Sequence, residues 1–321
     1  MGPFKLGSTG DEVRQIQQAL KSRGLYAGDL DGIYGAPTAA GVEAFQRRSS
    51  LTPDGVVGPL TWAALAGAPA GAPALASRPV AERCLALTGS FETSAAAPAC
   101  FSVATGDFDG MGMSFGALQW NLGSGTLQPI FQGMLDQHAE VMKGIFQDNL
   151  PAVGAAIAGG KDQALSWARS IQDPQTHRFA APWRDLFAAL GATPECQALQ
   201  MQAASSYRKA ADRLFASYQL WSERGSALAF DLMVQNGGIP AAVDALVRSD
   251  IAALGAQLSD EDREVAKMKI LANRRAEAAR SAFVEDVRKR KLCIALGAGT
   301  VHGKAYDLAA DYGIELRRLP A

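Results

Sequence analysis

Glu92 is the residue in this chain best suited to proton-transfer chemistry. It sits in Thr88-Gly-Ser-Phe-Glu-Thr-Ser94, after a segment in which Val80, Cys84, Leu87 and Phe91 recur at helical spacing. That pattern predicts a helix with these four residues facing inward, Glu82 and Arg83 off that face, and Glu92 at or beyond the last turn. A carboxylate there meets the negative end of the helix dipole, and partial burial further opposes its charge. Both effects raise its pKa, so it can hold a proton near neutral pH and give it to a leaving glycosidic oxygen.

A second set of candidates follows in Gly106-Asp107-Phe-Asp109-Gly110-Met-Gly112-Met-Ser114-Phe-Gly116-Ala-Leu-Gln119-Trp120-Asn121. Glycines on either side of Asp109 and Ser114 predict a bent loop or short hairpin that brings the backbone close to a groove. One carboxylate on a helix end and one in such a turn form the pair an inverting glycosidase needs, the second activating a water on the far face of the sugar. Asp107 and Asp109 both stand near the right place. Gln119 and Asn121 are candidate sugar-contacting amides, and Gln119 could equally satisfy buried backbone. An EF-hand reading of the same string fails, since Met111 and Leu118 would fall at ligating positions five and twelve. No metal site or other cofactor is expected.

The elements that position these residues fall into two predicted domains. Asp31-Gly-Ile-Tyr-Gly-Ala-Pro-Thr38 returns as Asp54-Gly-Val-Val-Gly-Pro-Leu-Thr61, each a tight turn feeding a helix start. The helices after them bury Val42 and Phe45, then Leu60, Trp62 and Leu65. An earlier helix carries Val13, Ile16 and Leu20, with Thr9 and Glu12 as a capping box and Gly24 as its stop. Residues 1–66 thus read as a three-helix module. Residues 67–78, rich in Ala, Gly and Pro, read as a tether. Residues 79–321 read as one large, mainly helical domain, in which Leu199, Ala203, Tyr207, Ala210, Leu214, Tyr218 and Trp221 form a core stripe.

Composition narrows the function classes. The 321 residues carry a net charge of −1, so nothing demands a polyanionic partner such as nucleic acid. No apolar run approaches a membrane span. Four separated cysteines, Cys84, Cys100, Cys196 and Cys293, read as buried thiols, with a Cys84–Cys100 bridge as the minority alternative. His302 stands alone, and the charged stretch from Arg274 to Lys291 reads as a solvated helix face. The opening residues lack the layout of a secretory leader, so synthesis in the cytoplasm and release by a holin or secretion apparatus is expected.

The first segment, LGSTGDEVRQIQQALKSRGLYAGDLDGIYGAPTAAGVEAFQRRSSLTPDGVVGPLTWAAL, resembles the peptidoglycan-binding domain 1 family throughout. That resemblance implies a cell-wall-binding module attached to a catalytic domain. The stretches ALTGSFETS and GDFDGMGMSFGALQWNLGSGTLQPIF are similar to the core of the family 46 chitosanases. They also resemble goose-type lysozymes and soluble lytic transglycosylases. All share an α-helical, two-lobed lysozyme-like fold. The resemblance implies that Glu92 is the general acid, Asp109 the base and Ser114 the hydroxyl that helps hold the water. Keeping the following Gly-x-Gly-x-Ser in register favours Asp109 over Asp107. Asp231 is similar to a position on a second-lobe helix, with a structural role as its alternative. Phe108 and Met111 stand where the chitosanase pattern is more polar.

The expected protein is a monomeric muramidase acting on peptidoglycan, as a phage endolysin or an antibacterial effector would, the latter with an immunity protein as a further partner. A chitosanase or lytic transglycosylase is the enzymatic alternative. An inactive wall-binding or virion structural protein is the alternative from another class.

Overall fold

The computed structural model describes residues 4–49, 51–66 and 75–319. The chain divides into two compact units, Met1–Ala74 and Leu75–Ala321. Of the tether read over 67–78, residues 67–74 lie outside the described residues. Leu75 is buried among the core residues of the large unit, so residues 75–78 are part of that unit instead of a tether.

The small unit is built from α1 (Asp11–Lys21), α2 (Ala36–Arg48) and α3 (Pro59–Ala66). Val13, Ile16, Leu20, Tyr34, Val42, Phe45, Val57 and Leu65 close its core, and Trp62 is half-buried against Phe4. The Leu60 side chain lies outside the described residues. The sequence echo has a structural basis in two matching clamps. Buried Gln17 donates to Asp31 Oδ1 at 2.7 Å and to the Ile33 carbonyl at 3.0 Å, and accepts from Gly32 N at 2.9 Å. Gln46 repeats the pattern with Asp54 Oδ1 at 2.8 Å, Val56 O at 2.9 Å and Gly55 N at 2.9 Å. Gly32 and Gly55 both take the left-handed conformation that the turn requires. The capping box is not formed. Gly10 is the N-cap of α1 with no side-chain cap, because the chain there is held by backbone pairing of Thr9 with Ile33 and of Gly10 N with Gly32 O.

The large unit is mainly α-helical. Its first helix, α4 (Val80–Thr93), lies at the centre and packs on the helix Glu223–Asn236, which also packs on Val284–Leu296. Residues 83–91 of α4 are all buried, so it has no solvated face there. Arg83, expected off the inward face, is buried and ion-pairs with Glu223 at 2.7 Å. Three two-residue strands form an antiparallel sheet in the order β1 (Ala104–Thr105), β2 (Ser114–Phe115) and β3 (Trp120–Asn121). The register aligns Thr105, Ser114 and Asn121 in one row and Ala104, Phe115 and Trp120 in the next. Directly paired residues share a sheet face, so the first row is polar and the second packs into the core. A hairpin of β4 (Ala298–Val301) and β5 (Lys304–Asp307) follows the helix Val284–Leu296.

All four cysteines are free and buried, so the Cys84–Cys100 bridge is not formed. Burial pushes both of these thiols up, Cys84 to about 11 and Cys100 to about 12. Among the described residues no helix is long and apolar enough to cross a membrane.

Candidate active site

Glu92 sits in the last turn of α4, which Ser94 ends in the left-handed conformation. It lines a cleft of about 340 Å³ together with Leu118, Gln119, Trp120, Asn121, Ser124 and Thr126 from the β3 region, Tyr207, and Val234 and Gln235. Its side chain is 31% exposed. The helix-end argument surrounds Glu92 with negative potential only. The structure instead places Arg290 Nη2 at 2.7 Å from Glu92 Oε1.

Arg290 is one member of a buried charge cluster. Its Nε lies 3.0 Å from Asp231 Oδ1, and its Nη2 lies 2.6 Å from the same oxygen. The guanidinium stands 5.0 Å over the Phe91 ring, which fixes its plane. Asp231, fully buried, also accepts from Lys291 Nζ and, at 3.1 Å, from Thr88 Oγ1. Burial pushes the Asp231 carboxyl up, but Arg290 and Lys291 outweigh it and hold it at about 2. Burial likewise pushes the Lys291 ammonium down, to about 8, against the pull of Asp231. Burial also works against the Arg290 cation, yet Asp231 and Glu92 hold it above its ordinary value. Glu92 therefore rests on a cation that is anchored from behind by an aspartate with no exposure to solvent.

The solvated face expected from Arg274 to Lys291 does not extend to its last two residues. The stretch spans two helices, Asp260–Glu277 and Val284–Leu296, and the second buries Val287, Arg290, Lys291 and Ile294. Those positions fall at i, i+3, i+4 and i+7, so a helical wheel puts both cations on the apolar stripe. That is the signal by which the sequence could have disclosed them. Tyr207, expected in the core, is 39% exposed and lines the cleft. The apolar stripe from Leu199 is interrupted at Ala204, between the helices Pro194–Ala203 and Ser205–Ser217, and the break turns Tyr207 outward.

The glycine-rich segment divides the remaining candidates. Gln172 accepts from Asp107 N at 2.8 Å and donates to Gly112 O at 2.8 Å, stapling the loop at its base. A Cβ on Gly106 would stand 1.8 Å from the His177 carbonyl oxygen, so only glycine passes there. Both Asp107 oxygens are taken, Oδ1 by Gly112 N at 2.7 Å and Oδ2 by Arg169 Nε at 2.6 Å. Burial raises its pKa, and these bonds more than reverse the shift. Asp107 thus holds the loop, with each of its carboxylate oxygens engaged by the fold. Asp109 lies at the exposed apex, between exposed Phe108 and Met111, and accepts from Met111 N at 3.1 Å. It does not line the Glu92 cleft, and neither do Asp107 and Ser114. Half-buried Ser114 pairs with Asn121 across the sheet.

Gln119 lines the cleft, but its amide is committed to the fold. It donates to Gly116 O at 2.9 Å and Val103 O at 3.3 Å, and accepts from Thr105 Oγ1 at 2.8 Å. Asn121 Oδ1 accepts from Ser124 N at 2.9 Å, which shapes the rim of the cleft. The structure therefore brings Glu92, Gln119 and Asn121 together and leaves Asp107, Asp109 and Ser114 outside that lining. Among the described residues no group of three His, Cys, Asp or Glu side chains is placed to hold a metal. A larger concavity of about 670 Å³ lies on the small unit along α1, where Arg14 bonds Asp11 at 2.7 Å and Leu30 O at 3.0 Å.

Residues 9–65 match the family described as Putative peptidoglycan binding domain. An uncharacterised protein encoded in the bpoA1 3′ region of Kitasatospora aureofaciens is 48% identical over 58 residues, 18% of this chain and 49% of that protein. The chain thus spans about half the length of this curated relative. A solved family 46 chitosanase of Gynuella sunshinyii, in complex with chitotetraose, is 15% identical, with a TM-score of 0.44 over 72% of this chain and 97% of that one. The native chitosanase of Bacillus subtilis MY002 is 13% identical, with a TM-score of 0.39 over 72% and 97%. Chitosanase OU01 is 16% identical, with a TM-score of 0.40 over 70% and 94%.

Proposed function

We propose that the chain is a peptidoglycan hydrolase that cuts the glycan strand as a muramidase, with Glu92 as proton donor and the small unit holding the wall. The observation that carries this reading is the makeup of the Glu92 cleft. Among its described lining residues, Glu92 bears the only charge, and the rest are amides, hydroxyls, aromatic rings and aliphatic groups. Chitosan carries an ammonium on each deacetylated sugar, and a site selecting it would present carboxylates. An uncharged lining suits N-acetylated sugars, whose amides and apolar ring faces find partners in Asn121, Ser124 and Tyr207. The family match of residues 9–65 supports the bacterial wall as the setting.

In this reading Arg290 holds Glu92 Oε1, leaving Oε2 for the glycosidic oxygen. An inverting mechanism also needs a base to activate the water, and for Asp109 to serve, the loop apex that carries it must close toward the cleft when substrate binds. A second reading draws on a specific observation. Asp109 lies outside the cleft lining, and a lytic transglycosylase needs no base.

Digestion of purified peptidoglycan, followed by borohydride reduction and mass spectrometry of the fragments, separates the two. New reducible muramic acid ends support the muramidase. Anhydromuramic ends would select the transglycosylase and remove Asp109 from the mechanism.

A further inference from the structure

We propose that Gln235, Asp286 and His302 form an outer arm of the charge cluster that positions Lys291, and through Asp231 and Arg290 positions Glu92. The inference rests on the reading of Glu92 as the proton donor. The hydrogen bonds run without a gap. Lys291 Nζ donates to Asp231 and, at 2.6 Å, to Gln235 Oε1. Gln235 Nε2 donates to Asp286 Oδ2 at 3.3 Å, and Asp286 Oδ1 faces His302 Nε2 at 2.6 Å.

A buried ammonium has three donors and needs an acceptor for each. Lys291 finds them in the Asp231 carboxylate, the Asp231 carbonyl at 3.3 Å and Gln235 Oε1. The third is conditional. A glutamine amide can turn over, and the opposite orientation would aim an NH₂ group at the cation. Asp286 decides the matter, because a carboxylate accepts only from the NH₂ end and so leaves the oxygen facing Lys291. His302, on the hairpin turn between β4 and β5, occupies the other Asp286 oxygen and fixes the carboxylate in turn. Gln235 also lines the cleft, so a turned amide would alter the wall beside Glu92 as well as the support behind it. Asp286 and His302 are partly exposed, lie outside the cleft lining and are hydrogen-bonded to it through Gln235, which makes them positioning residues.

The test uses the full chain with Asp286→Asn, His302→Gln, Gln235→Met and the Asp286→Asn/Gln235→Met double variant. The Asp286→Asn change puts an NH₂ in place of one oxygen, so position 286 no longer accepts from Gln235 in every orientation and stops dictating which end of that amide faces Lys291. The expected result is a kcat on peptidoglycan reduced about tenfold for Asp286→Asn and severalfold for His302→Gln, measured below the melting temperature of each variant so that the loss is read on folded protein. The double variant should lose no more than Gln235→Met alone, since both act through one contact. Independent, multiplying losses, or an unchanged kcat in Asp286→Asn, would overturn the proposal. Glu92→Gln run alongside separates the two failures, because a wild type no faster than Glu92→Gln would sink the functional reading instead. In that event a crystal structure of Asp286→Asn decides. A turned Gln235 amide with a displaced Lys291 supports the arm, and an unmoved pair refutes it.

Discussion

Replacing Arg290 with methionine removes the cation that joins Glu92 to Asp231 while keeping most of the side-chain volume. Asp231 would then lose its Nε and Nη2 partners at 3.0 and 2.6 Å and keep only Lys291 and Thr88. Removing one partner of a buried ion pair costs about 3–5 kcal/mol, because the remaining charge cannot reach water. Since Lys291 still neutralises Asp231, the lower end, about 3 kcal/mol, is the expected loss. For a unit of this size that is a fall of roughly 6–12 °C in its melting temperature. Calorimetry on the full chain resolves the large unit's transition. Arg290→Lys should recover part of the stability and little of the activity, because one ammonium cannot hold Glu92 and Asp231 together. A fall below about 2 °C for Arg290→Met would refute the view that Asp231 depends on this guanidinium.

Three further outcomes follow from the same geometry. The Asp231 carboxyl, at about 2, lies below its ordinary 3.8, so its contribution is complete above about pH 4 and drains as pH falls toward 2. Acid unfolding curves should therefore be flatter over that window for Asp231→Asn, and an unchanged slope would count against the pair. Gln46→Leu should destabilise the small unit by about 1–3 kcal/mol by leaving Gly55 N and Val56 O without their partner, read by circular dichroism and by weaker sedimentation with isolated walls. If the small unit holds the enzyme at the wall as proposed, removal of residues 1–74 should reduce the rate on intact walls by about tenfold or more and leave soluble fragments nearly unaffected. Equal loss on both substrates would contradict that role.

Much of the fold was legible where one residue type has one use. The repeated Asp-Gly turns, the helical spacing of Val80 to Phe91 and the glycines around Asp109 announced their conformations because each meets a local backbone demand. Glu92 was legible as a carboxylate ending an apolar helix. Its partner was not. Arg290 lies far along the chain, among alternating charges whose obvious use is solvation, and only the burial of Val287 and Ile294 beside it marks the exception. The anchoring role of Asp107 also depended on distant residues. Arg169 and Gln172, which tie Asp107 down, lie more than sixty positions away. The outward turn of Tyr207 was hidden because a helix break at Ala204 interrupts the periodicity, and no glycine or proline flags it.

Cleavage of the wall glycan by Glu92, from an otherwise uncharged cleft, is tested most directly by initial rates of fragment release. Wild type and Glu92→Gln are measured side by side on peptidoglycan and on chitosan. Release from peptidoglycan that falls about a thousandfold or more in Glu92→Gln, with little release from chitosan by either protein, is the expected result. Chitosan cut faster than peptidoglycan would contradict the reading of the cleft, and Glu92→Gln as active as wild type would contradict the assignment of the acid.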